Sequence, residues 1–214
     1  MRIKRLIVGQ LQTNCYLLID GREALVVVPG DHSDYIRRLI SHEEVKLTKI
    51  VATHGHYDHI LAVTELKLGF KIPFLMHKED KFLLNRMSAS ASRFSGVRAS
   101  LAPKVDNYIK EGDSLSINHQ SLTIIHTPGH TPGSISLYSK ADNAVLVGDL
   151  IFEGGGVGRT DFAYSNREDL KASINKILKL PNNTKVYSGH GEESILDDII
   201  IGVRSHLISE KEYD

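Results

Sequence analysis

The chain has 214 residues, 41% of them hydrophobic, with 26 acidic and 26 basic side chains, so its formal net charge is zero. That length predicts one domain, residues 1–214, with a core large enough to need no covalent staples, and the single cysteine excludes an intrachain disulfide. The charge balance gives no argument for nucleic acid or an anionic membrane surface, and no apolar run approaches a membrane span; a soluble, cytoplasmic protein is expected.

The N-terminus is basic (Arg2, Lys4, Arg5), but only Leu6-Ile7-Val8 follows before Gly9, too short for a signal peptide's apolar stretch. Strands are expected at Ile3 to Val8, Asn14 to Asp20 and Ala24 to Val28, with Asp20-Gly21 as a hairpin turn. Cys15 lies inside the second of these and reads as a buried structural thiol. Asp31 to Glu44 has helical spacing at Tyr35, Ile36, Leu39 and Ile40, with Asp31 or Ser33 as its cap. A short strand, Leu47 to Ala52, leads into Thr53-His54-Gly55-His56-Tyr57-Asp58-His59, and a helical pattern through Ile60, Leu61, Val63, Leu66 and Leu68 follows.

This strand-to-helix loop holds three histidines and an aspartate within six residues. In an extended loop, His54 and His56 point to the same side and reach one metal ion. Asp58 and His59, at the helix start, diverge and serve a second ion more easily. Imidazole and carboxylate suit zinc, iron or manganese without any thiolate.

Phe74 to Met76 reads as a strand and Asp80 to Met87 as a helix. Ser88 to Ala102, serine-rich and poor in large apolar residues before Pro103, reads as a loop, either a mobile lid or a plain surface connection. Strands return at Val105 to Ile109, Ser114 to Ile117, Ser121 to His126, Ser134 to Ser139, Ala144 to Val147 and Lys185 to Ser188. Asn166 to Leu180 is an amphipathic helix and Glu192 to Ile208 a closing one. The two halves look alike: strands, a ligand-bearing loop, a helix.

Three later strands also end at Gly-marked turns that carry ligand-type residues: His130, Asp149 and His190. Ligands collect outside the carboxyl ends of strands in open sheets. Seven ligands exceed the needs of one tetrahedral zinc but suit two ions sharing a carboxylate. In the arrangement that works, His54, His56 and His130 hold the first ion, Asp58, His59 and His190 hold the second, and Asp149 bridges.

With these motifs, and with Asn14-Cys15-Tyr16-Leu17, Gly129-His130-Thr131-Pro132-Gly133-Ser134, Gly148-Asp149, Gly158-Arg159-Thr160-Asp161 and Gly189-His190-Gly191, the chain resembles the metallo-β-lactamase superfamily. It is most similar to the hydroxyacylglutathione hydrolase (glyoxalase II-like) branch. The resemblance implies an α/β four-layer αβ/βα sandwich and the same ligand assignment. It implies two divalent ions, zinc first with iron or manganese possible, and hydrolysis of a small-molecule thioester by a metal-bridging hydroxide that Asp58 and Asp149 orient. A monomer or homodimer is expected. The second reading on this scaffold is a persulfide dioxygenase with one iron on His54, His130 and Asp149; the third is a metal-binding member with weakened catalysis. The chain departs from the family at Val28, where members usually carry Asp before Pro-Gly, and at Leu61-Ala62, where they often carry smaller residues. Only 23 residues follow Gly191, so a C-terminal helical domain of the glyoxalase II type is not expected.

His126 is read as a core residue or one supporting the ligands, and His77 as a strand-end residue. His32, His42, His119 and His206 are read as surface or capping groups. Arg159 and Asp161 form either an ion pair holding the Gly-rich loop or a contact for a substrate carboxylate, and Gly154-Gly155-Gly156 lacks the Gly-Lys-Ser/Thr of a phosphate loop.

Overall fold

A computed structural model describes residues 1–97, 99 and 101–209, with the backbone alone from 204 to 209. Its first half contains β1 (Arg2–Val8), β2 (Thr13–Asp20), β3 (Glu23–Val27), α1 (Ser33–His42), β4 (Lys46–Val51), α2 (Val63–Phe70), β5 (Phe74–Met76), α3 (Lys81–Ser95) and β6 (Asn107–Tyr108). The second half contains β7 (Ser114–Ile117), β8 (Gln120–His126), β9 (Ile135–Ser139), β10 (Ala144–Gly148), α4 (Arg167–Ile177), β11 (Lys185–Ser188), β12 (Ser194–Ile195) and α5 (Leu196–Ser209). Each half builds one six-stranded mixed sheet, in the orders β1-β2-β3-β4-β5-β6 and β12-β11-β10-β9-β8-β7. Asp20 pairs with Glu23 across the two-residue turn that Asp-Gly predicts.

The period of two along each strand explains the layering. On β2, Cys15, Leu17 and Ile19 join a core with Ile36, Leu66 and Met87 from the helices of the first half. The alternate residues Tyr16 and Leu18 join Ile124, Leu137 and Leu146 of the second sheet. Leu170 and Ile174 of α4 and Ile199 of α5 cover Val145 and Val186 on the outer face of that sheet. The result is the expected α/β/β/α stack, and strands buried on both faces read as continuous apolar runs for that reason.

Several expected boundaries move. The loop expected from Ser88 to Ala102 is corrected: Ser88 to Ser95 continue α3, because Leu83, Leu84, Met87 and Ala91 supply one buried stripe and the serines need only avoid it. Gly96, at φ 66°, ends the helix with its N–H on Ser92 O at 3.1 Å. Arg98 and Ser100 of that stretch lie outside the described residues. Neither Asp31 nor Ser33 caps α1; His32 occupies the N-cap in the left-handed region, and Asp31 Oδ1 accepts from His32 N at 2.7 Å. Ser33 Oγ instead meets the Glu65 carboxylate. Asn166 does cap α4, its Oδ1 accepting from Glu168 N at 2.9 Å and Asp169 N at 3.1 Å. The closing helix starts at Leu196, after β12, rather than at Glu192. Among the described residues no helix is long and apolar enough to cross a membrane.

Candidate metal centre

β4, β8, β10 and β11 end at the same edge of the two sheets, and the loops beyond them carry all seven expected ligand residues to one place. After β4 the chain is extended at His56 (φ −67°, ψ 146°), then makes one 3₁₀ turn over Tyr57–His59 before α2 starts at Val63. The extended part turns His54 and His56 to a common point, as the spacing predicts: His54 Nε2 and His56 Nδ1 lie 3.0 Å apart, and His130 Nε2 is 3.0 Å from the same Nδ1. The tight turn sends Asp58 and His59 to a second point. Asp58 Oδ2 is 3.4 Å from His59 Nε2 and 3.5 Å from His190 Nε2. Asp149 stands between the two groups: Oδ2 is 3.6 Å from both His130 Nε2 and His190 Nε2, and Oδ1 is 3.5 Å from His59 Nε2.

The outer nitrogens decide which atoms face inward. His130 Nδ1 donates to Arg159 O at 2.9 Å and His190 Nδ1 donates to Leu11 O at 3.0 Å. A carbonyl only accepts, so each Nδ1 carries the hydrogen and each ring turns its Nε2 towards the centre. His56 Nε2 meets Tyr164 Oη at 2.9 Å. Burial holds His54 well below the usual imidazole range, and burial with the nearby His130 pushes His56 down to about 3, so both are neutral at pH 7. Burial opposes charge on His59 too, but the Asp149 and Asp58 carboxylates override it and push that ring up to about 10. His59 Nε2 and Asp149 Oδ1 are buried without a hydrogen-bond partner. Buried polar atoms of that kind need an explanation. The neutral nitrogens of His54 and His56 converging beside ionised Asp58 and Asp149, with His59 Nε2 and Asp149 Oδ1 unpaired, fit divalent cations.

The loops are tied from beneath. Asp80, fully buried just before α3, accepts from Gly55 N at 2.8 Å and Thr131 Oγ1 at 2.7 Å through Oδ2, and from Gly133 N at 2.6 Å through Oδ1. One carboxylate therefore fastens the His54–His56 loop to the His130 loop. Asn14 and Tyr16 of β2 fasten the third: Asn14 Nδ2 donates to Ser188 O at 3.0 Å and Gly191 O at 2.8 Å, and Tyr16 Oη to Ser188 O at 2.6 Å. Two glycines answer each other across the halves. A Cβ on Gly30 would lie 1.9 Å from Asp58 O, and one on Gly158 would lie 1.9 Å from Asp149 O. Only glycine permits those approaches.

Val28, the departure from the family pattern, is buried in the inter-sheet core at φ 58°, a costly conformation for a β-branched residue. Asp31 does not replace the missing carboxylate; it packs on Gly9 instead. His126 stays out of the centre, its Nε2 donating to Pro132 O at 2.9 Å and its ring stacked on His77 at 4.3 Å. Cys15 is buried and burial pushes its thiol up, as expected of a structural residue. The side chain of His206 lies outside the described residues. Arg159 and Asp161 do pair, at 2.6 and 2.5 Å, and both are exposed.

Above the ligands opens a cleft of about 500 Å³. Leu83, Met87 and Phe94 line one wall, Phe162 and Tyr164 the other, and Arg86, Arg93 and Arg159 are the basic residues of its lining. Asp80, Tyr164, Arg86 and Arg93 are not recognisable as site residues in the sequence. Asp80 reads locally as the start of a helix, and the other three lie far from every ligand motif.

The metallo-beta-lactamase superfamily profile matches residues 8–190, and the chain belongs to that superfamily of metal-dependent hydrolases. Hydroxyacylglutathione hydrolase GloC of Haemophilus influenzae is 32% identical, over 89% of this chain and 91% of that protein. Among solved structures, BLEG-1 B3 metallo-beta-lactamase is 33% identical with a TM-score of 0.87, over 94% of this chain and 97% of its own. TTHA1623 in a di-iron-bound form is 30% identical with a TM-score of 0.84, over 91% of this chain and 96% of its own.

Proposed function

We propose that this chain hydrolyses a small-molecule thioester of the hydroxyacyl-thiol kind, using two divalent ions, with zinc the first choice and iron or manganese able to substitute. It acts as a monomer or homodimer. One observation carries the reading: two separate ligand triplets, His54/His56/His130 and Asp58/His59/His190, flank a single carboxylate, Asp149. A one-iron centre on His54, His130 and Asp149 would leave Asp58, His59 and His190 without a task. GloC, a hydroxyacylglutathione hydrolase, and TTHA1623, which holds two irons, support the same choice.

When bound, the ions supply an acidified water, its pKa lowered from about 15.7 towards 7, and Lewis acidity at the carbonyl oxygen. The chain supplies the rest. Asp58 and Asp149 hold metal and present carboxylate oxygens that accept a hydrogen bond from the attacking water. Arg159 O and Leu11 O fix the tautomers of His130 and His190, so the inward nitrogens need no rearrangement to bind. Leu83, Met87, Phe94 and Phe162 form the apolar walls against which the acyl chain packs.

The test is thiol release from a hydroxyacyl thioester, run beside a β-lactam panel and an oxygen electrode with a persulfide. Thioester turnover that disappears in His56→Ala and Asp149→Ala, with circular dichroism unchanged, is the expected result. Wild-type-like activity in either variant, or turnover of only the lactam or the persulfide, overturns the proposal.

A further inference from the structure

The cleft has a cationic rim that the ligand centre does not use. α3 turns Leu83, Arg86, Met87, Ser90, Arg93 and Phe94 towards it, a spacing that keeps them on one helical face. The two guanidinium groups have no carboxylate partner among the described residues; their contacts are rings, with Arg86 5.5 Å from the Phe82 centroid and Arg93 5.8 Å from that of Phe94. Some cations elsewhere are paired, Arg2 and Lys4 with Glu43, Arg5 with Glu192 and Lys67 with Asp106; what sets Arg86 and Arg93 apart is that they line the cleft over the ligand centre. Across the cleft Arg159 is neutralised by Asp161. The acids lining the cleft are Asp58 and Asp149, both turned to the ligand centre. A chain of zero net charge thus leaves two cations uncompensated at the mouth of its candidate site.

We infer that Arg86 and Arg93 bind the anionic, extended end of the substrate, so that the chain selects thioesters carrying carboxylate or phosphate groups remote from the scissile bond. The thioester part of this statement rests on the function proposed above; the anion part does not. Guanidinium suits both anions through paired N–H donors, and stacking on a ring holds it in place before the ligand arrives. The two arginines are seven residues apart, about 10 Å along the helix axis. Ser90 lies between them with a hydroxyl. That length matches an extended charged tail rather than one compact ion.

The test is calorimetric titration of the metal-loaded protein with thioethers that cannot be hydrolysed, in two pairs. S-Hexylglutathione is compared with its dimethyl ester, and S-hexyl-4′-phosphopantetheine with S-hexylpantetheine. In the wild type the anionic member of at least one pair binds at least tenfold more tightly, and in Arg86→Gln/Arg93→Gln that gap closes to about threefold or less. The pair showing the gap identifies carboxylate or phosphate as the anion. No gap in either pair, or a gap that survives in the double variant, overturns the inference. Since thioethers bind without turnover, a protein that shows the gap yet hydrolyses no thioester would refute the proposed reaction and leave the rim standing.

Discussion

Asp80→Asn isolates the tie between the His54–His56 loop and the His130 loop. The wild-type carboxylate is fully buried and accepts three hydrogen bonds, two on Oδ2 and one on Oδ1. Burial raises its pKa, and the donors from Thr131, Gly55 and Gly133 pull it back. An asparagine keeps one acceptor. With its oxygen in the Oδ2 position, its NH₂ faces Gly133 N–H, so one buried donor is stranded against another. That costs about 1–3 kcal/mol. In a chain of this length the loss lowers Tm by roughly 2–12 °C. Asp80→Ala strands all three donors and costs about 3–6 kcal/mol, because losses sharing one site do not add fully. Loosened ligand loops also weaken metal binding, by about 10- to 100-fold. Thermal melts of metal-free protein and chelator competition on loaded protein read the two effects separately. An Asp80→Asn protein with unchanged Tm and unchanged metal affinity would show that the loops are held by something else.

Tyr164→Phe removes the hydroxyl on His56 Nε2 and keeps the ring stacked on Phe162 at 5.2 Å. Metal affinity should fall about tenfold with stability within about 0.5 kcal/mol of wild type; unchanged affinity by chelator competition would remove Tyr164 from the account. Gly158→Ala drives a Cβ to 1.9 Å from Asp149 O, and should cost about 1–3 kcal/mol or more in a denaturant melt while metal per chain drops; a fully loaded, equally stable variant would contradict the close packing. Asp106 accepts from Lys67 Nζ at 2.6 Å and Phe74 N at 2.8 Å, and against a partial desolvation these contacts hold its carboxyl below the usual range. A depressed folded pKa stabilises above the unfolded value of about 3.9 and stops doing so as pH falls through the folded value. The Tm gap between wild type and Asp106→Asn should therefore be full at pH 6 and shrink below pH 4; a gap independent of pH would show that the charge is irrelevant. Stripping metal with a chelator should lower Tm, and readdition should restore it; a melt indifferent to both would mean that no ion is held by the native state.

Much of the site was legible because its chemistry is local. The His54/His56 pair follows from an extended loop, Asp58 and His59 from the turn after it, and each remaining ligand lies beside a glycine within four residues of a strand's end. What the sequence hid are relationships across the fold. Asp80 looks like any residue that opens a helix, and only the packing of Gly55 and Gly133 against it reveals the tie. Tyr164 follows the Arg159–Asp161 stretch by three residues, with no motif of its own, and reaches His56 from 108 positions away. The length of α3 was hidden for a different reason. Its second half carries a single buried residue, Ala91, and four serines, a composition that suggests a loop although the helix needs little more to stay docked. Arg93, and with it the one-sided spacing of the cationic rim, was lost from the sequence reading along with that second half.

The central claim is that the proposed site holds two divalent ions, with Asp149 placed between the two ligand triplets. Elemental analysis of protein purified without added metal, expressed as ions per chain, tests it most directly. The account predicts close to two divalent ions per chain. One iron per chain, or no metal even after reconstitution, would contradict it.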